Sequence, residues 1–168
     1  MALLAKLLEE TIEVERYCPQ CGKGCGSTRN CEFLPSPSPE VPVVVEPQPV
    51  SVGLLEVNNP GRDAPVIVTS NYLHTHTLLG EVLIRAGMGC HILSVDTGGD
   101  PVDMAVVKGK FTGDAVKRAA EDSGLAGKID HNRLVLPGLC QVEEVEGWEV
   151  VKGPVCALEL PLFLRFMY

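Results

Sequence analysis

Asp96-Thr97-Gly98-Gly99-Asp100-Pro101-Val102-Asp103-Met104-Ala105-Val106-Val107-Lys108-Gly109-Lys110-Phe111-Thr112-Gly113-Asp114 begins where a short apolar run, Ile92-Leu93-Ser94-Val95, stops. It ends where an amphipathic run, residues 115–121, begins. That order reads as a strand, a long functional turn and a helix. Two glycines after the Asp-Thr pair let the backbone take positive φ and approach something closely. Pro101 suits the first turn of a short helix, where its missing N–H costs nothing, and Asp100 is expected to cap that helix. Residues 102–107 then form about a turn and a half of helix closed by Gly109, with Met104 and Val107 roughly on one side. Such an apolar ledge suits a flat, largely apolar ligand better than a phosphate.

Outward from this stretch, short apolar strands alternate with helices. Strands are expected at residues 66–69, 92–95, 134–136 and 149–151. Helices are expected at 75–86, 112–123 and from about residue 157 to the end. This alternation predicts an α/β fold, a Rossmann-like parallel sheet with helices on both faces. Thr69-Ser70-Asn71, Asp96-Thr97-Gly98-Gly99, Pro137-Gly138 and Gly153-Pro154 each follow the C-terminal end of a strand. Ligands of open α/β sheets sit at that edge, so one crevice should collect all four loops.

Upstream the chain changes character. Residues 2–16 place Leu4, Leu7, Leu8 and Ile12 on one helical face, either for packing or for a homodimer contact. Cys18, Cys21, Cys25 and Cys31 follow as C-x₂-C-x₃-C-x₅-C, punctuated by glycines. Four thiolates so close can turn inward around one centre. Zinc and iron–sulfur clusters both accept them, and the compact single loop favours a [4Fe–4S] cluster. Residues 35–49 hold six prolines and read as an extended tether. The domain plan is therefore 1–34 for helix and cysteine module, 35–51 for the Pro-rich linker and 52–168 for the α/β domain.

Composition narrows the function. The formal net charge of −8 argues against nucleic acid and against an anionic membrane surface. Neither terminus carries an apolar run long enough for an export signal or a membrane span, which points to the cytoplasm. In that reducing compartment the seven cysteines are ligands or core residues, with Cys90, Cys140 and Cys156 read as structural. His91 and His131 are read the same way. His74 and His76, two apart on a helix, point to different faces and should not share a metal. There is no G-x-G-x-x-G, no phosphate loop and no nucleophile elbow.

The stretch from Asp96 to Phe111 resembles the corrinoid-binding C-terminal domain of the large subunit of the corrinoid iron–sulfur protein of the acetyl-CoA pathway. It is also similar to the corrinoid domain of the mercury-methylating protein. Asp96, Thr97, Gly99, Gly109, Lys110 and Phe111 fit that pattern without a gap. Three further runs keep their order: Pro65-Val66-Ile67-Val68-Thr69-Ser70-Asn71-Tyr72, His131-Asn132-Arg133-Leu134-Val135-Leu136-Pro137-Gly138, and Gly147-Trp148-Glu149-Val150-Val151-Lys152-Gly153-Pro154. The resemblance implies a cobalamin-type corrinoid bound base-off, with the short helix against its lower face. Its site would draw on Thr69, Asn71, His74 and Thr75 from the first strand end, and on Asp96, Thr97, Gly98 and Gly99 from the turn. Val102, Met104, Ala105, Gly109 and Phe111 would follow from the helix, and Pro137, Gly138, Gly153 and Pro154 from the last two loops. Met104 stands where the iron–sulfur protein has a threonine and the mercury-methylating protein a cysteine, and so is a candidate weak cobalt ligand. The large barrel domain of that family is absent from this sequence.

The resulting expectation is a corrinoid and [4Fe–4S] protein, a methyl or low-potential electron carrier more than a stand-alone enzyme. Its partner would be a methyltransferase or a reductive-activation protein. The alternative is a non-corrinoid iron–sulfur or zinc module that transfers electrons or docks a partner.

Overall fold

The computed structural model describes residues 46–167; the cysteine module and most of the Pro-rich segment lie outside them. The elements are β1 (Gly53–Val57), β2 (Val66–Ser70), α1 (Leu73–Arg85), β3 (Cys90–Val95), α2 (Val102–Val107), α3 (Gly113–Asp122), β4 (Arg133–Leu136), β5 (Glu149–Lys152) and α4 (Leu160–Met167). Short 3₁₀ turns occupy Leu125–Gly127 and Ala157–Glu159.

They build a five-stranded sheet in the order β1-β3-β2-β4-β5. β2, β3, β4 and β5 run parallel, as the strand–helix alternation requires. The expected all-parallel sheet is corrected at one edge: β1 pairs antiparallel with β3, Gly53 opposite Ser94 and Val57 opposite Cys90. The reason lies in how the chain arrives. Gln48 N–H donates to the Gly99 carbonyl at 3.0 Å and Val50 N–H to that of Asn71 at 2.9 Å, both at the C-terminal ends of the parallel strands. From there β1 can only run down the sheet, against its neighbour.

Strand alternation sends side chains to two cores. Val66, Val68, Leu93, Val95, Leu134 and Leu136 pack with Ala105, Phe111, Val116 and Ala120 on the α2/α3 face. Ile67, Ile92 and Val135 pack with Leu79, Leu83, Leu160 and Leu164 on the α1/α4 face. β2 and β3 are buried throughout, because both sheet faces are covered. Each fully buried leucine or isoleucine here, such as Leu83 or Ile92, contributes roughly 1.5–3 kcal/mol. The C-terminal segment forms a helix covering the sheet, with Leu160 and Leu164 as its buried contacts. At the opposite edge Asn58, at φ 54°, donates through Nδ2 to the carbonyls of Leu83 and Met88, fastening the end of α1. Among the described residues no helix is long and apolar enough to cross a membrane.

Candidate functional site

The chain leaves β2 through α1 on one face and returns as β3; it leaves β4 through residues 137–148, which pack on the other face through Cys140, Val145 and Trp148. Since β2 and β4 are neighbours, their following loops diverge, and a crevice opens between them. It holds a cavity of ≈ 380 Å³. Ile67, Val68 and Thr69 of β2 and Val135, Leu136 and Pro137 of β4 form its floor. Thr75, Leu78 and Leu79 of α1, Pro101, Val102 and Asp103 at the start of α2, and Gly153 to Ala157 with Leu160 form its walls. The lining is mostly aliphatic. Asp103 is its one charged residue, and Thr69 is only 2% exposed.

Glycines let the loops close over this edge. A Cβ on Gly138 would stand 2.7 Å from the Gly153 carbonyl oxygen, and one on Gly153 would stand 2.8 Å from that of Leu136. The β4 and β5 loops therefore touch backbone to backbone, which only glycine permits.

The turn after β3 is constructed differently. Asn71, buried at the end of β2, accepts through Oδ1 from the backbone N–H groups of Thr97 and Gly99, each at 3.0 Å. The Thr97 hydroxyl lies 3.0 Å from the same oxygen and 2.9 Å from the Asp100 carbonyl. Asn71 Nδ2 donates to the Val50 carbonyl at 3.3 Å. Gly98 and Gly99 take φ of 69° and 79°, and Gly99 lies directly beneath the backbone of Pro49. The expected capping role of Asp100 is corrected: Pro101 is the N-cap of α2 and no side chain caps the helix. Asp100 turns inward instead, where Lys108 Nζ and Lys110 Nζ donate to its two oxygens at 2.7 and 2.6 Å. Those two lysines, Lys108 foremost, hold its carboxyl below the usual carboxylate range. Lys110 also donates to the Thr97 carbonyl at 2.8 Å, so one carboxylate ties the two ends of α2 together.

Of the residues singled out from the sequence, Thr69, Thr75, Val102, Pro137, Gly153 and Pro154 line the cavity. Asn71, Thr97, Gly98 and Gly99 form the turn, with Asp96 at its start accepting through Oδ1 from Gly98 N–H at 3.0 Å. Ala105 and Phe111 belong to the α2/α3 core, and Gly109, at φ 66°, ends α2. Met104 and Val107, three residues apart on α2, are 38% and 82% exposed, outside the cavity. His74 is exposed and meets Tyr72 edge-on at 5.3 Å. His76 is half-buried, its Nε2 lying 3.1 Å from the Ser70 carbonyl and 2.9 Å from Ser94 Oγ; burial pushes its pKa down.

The remaining thiols divide. Cys90 is fully buried, and burial pushes it up to about 12; Cys140 is buried and raised for the same reason. Cys156 is corrected from a structural residue to an exposed one on the cavity rim. Leu139 and Val155 line the cavity without having been singled out, because only the Pro-Gly and Gly-Pro pairs of their loops were; position just beyond a strand end was the available signal. No group of three or more metal-ligating side chains occurs among the described residues, and Cys18, Cys21, Cys25 and Cys31 lie outside them.

Fold and crevice define an open α/β domain with an apolar cavity at its topological switch point. Residues 38–163 match the CO dehydrogenase/acetyl-CoA synthase delta subunit family, and the chain belongs to it. Among curated proteins it is 40% identical over 125 residues to the acetyl-CoA decarbonylase/synthase complex subunit gamma of Methanopyrus kandleri, covering 71% of this chain and 27% of that one. The gamma subunit of Methanocaldococcus jannaschii is 34% identical over 126 residues, covering 71% and 26%, and that of Archaeoglobus fulgidus 35% over 122, covering 70% and 25%. The chain thus spans about a quarter of the length of these relatives.

Proposed function

We propose that the α/β domain binds a corrinoid base-off at the strand ends, and that the chain serves as a methyl or low-potential electron carrier in one-carbon metabolism. The observation that carries this reading is the apolar switch-point cavity beside an exposed apolar ledge. A corrin with its amide side chains is too large for ≈ 380 Å³, but the aromatic base of its nucleotide tail is not. Met104 and Val107 offer the ring an apolar surface on α2, the helix whose first residues wall the cavity. When bound, the cofactor would supply a cobalt that takes up and releases a methyl group and cycles at low potential. The protein's part is to hold the base away from the metal, exclude water from the lower face and position α2. Cys18, Cys21, Cys25 and Cys31 are proposed to hold a [4Fe–4S] cluster able to keep the cobalt reduced. A methyltransferase or activating protein would be the partner, consistent with the complex named for the gamma-subunit relatives.

Mixing cobalamin with the anaerobically purified chain tests this. The base-off absorption spectrum should appear and survive gel filtration, with about four irons per chain. A cluster band without retained corrinoid would leave the iron–sulfur alternative instead, and zinc without iron would overturn the cluster.

A further inference from the structure

We propose that Thr69 holds the ring nitrogen that a base-off corrinoid frees when its base leaves the cobalt, and so selects cobamides by the chemistry of that base. The inference rests on the corrinoid reading above. Thr69 shares a sheet face with Ile67, whose partners Leu79 and Leu160 also line the cavity, so alternation aims its side chain at the same space. It is 2% exposed, and its hydroxyl makes no hydrogen bond with any described residue. The hydroxyl of neighbouring Ser70 is likewise without a partner, but it is sealed from any opening; that of Thr69 reaches the cavity. A hydroxyl with no protein partner, reaching a cavity through an aliphatic wall, is free to donate to an occupant of that cavity.

The demand is matched by the ligand. A benzimidazole base off the metal presents an sp² nitrogen lone pair that must find a donor once water is excluded. Cys156 is a weak donor at the exposed rim, and Thr75, only partly buried on α1, retains access to water. Thr69 is the donor placed at the floor. A phenolic base, joined through oxygen, has no such nitrogen and leaves the hydroxyl unsatisfied.

The test titrates the full chain with three corrinoids: a benzimidazolyl cobamide, a p-cresolyl cobamide and tail-less cobinamide. The wild type should bind the benzimidazolyl form about tenfold more tightly than the cresolyl form, the worth of one buried neutral hydrogen bond. Thr69→Val, matched in shape, should bring that ratio to about one, and Thr69→Ser should preserve it. Equal binding of both cobamides by the wild type, or a ratio that Thr69→Val leaves unchanged, overturns the proposal while the corrinoid reading stands. If none of the three binds, both fall together; if cobinamide binds as tightly as the other two, the tail does not occupy the cavity and Thr69 has no such role.

Discussion

The turn after β3 and the cavity between β2 and β4 share one edge of the sheet and are built by opposite means. In the turn, Asn71, Thr97, Asp100, Lys108 and Lys110 satisfy one another almost completely. In the cavity the walls are aliphatic, and the Thr69 hydroxyl makes no hydrogen bond with a described residue. A closed polar network specifies one geometry and has little left to offer a ligand. An apolar hollow with an unspent donor on its floor does the reverse. The conspicuous sequence signature therefore supplies the braced turn, and plainer residues supply most of the hollow's lining.

The contrast can be broken by moving function onto the turn or stability onto the cavity. Gly99→Ala should be the most damaging change, because a methyl group at φ 79° must displace the Pro49 backbone. A loss of about 3 kcal/mol in urea unfolding is expected. Ala157→Trp, filling the cavity from its partly exposed wall, should weaken cobalamin binding roughly a hundredfold, about 2.7 kcal/mol, while unfolding midpoints barely move. Comparable losses of stability and binding in that variant would erase the distinction between the two regions. Asn71→Ala removes the acceptor shared by Thr97 and Gly99 and should cost about 2 kcal/mol of stability.

Asp100 gives the smallest effect and the sharpest sign. Its folded pKa lies below the ordinary value near 4, so the unfolded chain takes up the proton first as pH falls. Its contribution is complete above that ordinary value and is lost as pH descends through the lowered one. Asp100→Asn should flatten that part of the acid limb, measured as urea midpoints against pH, with little change in its shape above about pH 5.

Much of this was legible in the sequence, for reasons that can be traced to residues. β2 and β3, covered on both faces, appear as short runs rich in Val, Ile and Leu, and α3 announces itself by periodicity and by Thr112, whose hydroxyl accepts from Ala115 N–H at 3.2 Å. β1 did not. Its five residues, Gly-Leu-Leu-Glu-Val, are half-exposed at an edge, and their strand character comes from β3 alone. Asp100 looked like a helix cap because Asp before Pro usually is one; the two lysines that claim it lie eight and ten residues on, a distance at which local rules are silent. The expectation that one crevice collects all four strand-end loops is corrected for one of them: Thr69, Pro137, Gly153 and Pro154 line the cavity, whereas Asp96, Thr97, Gly98 and Gly99 do not, because β3 lies on the far side of β2 from β4 and its turn reaches the cavity only through α2.

The way the chain enters the sheet has a mechanical consequence. Residues 48–50 are bonded to Gly99, Asn71 and Leu73 before β1 begins. A tug on anything upstream is thus borne by those few bonds before it can peel an edge strand. Traction on residue 46 would be felt first at the C-terminal ends of β2 and β3, before the edge strand is reached.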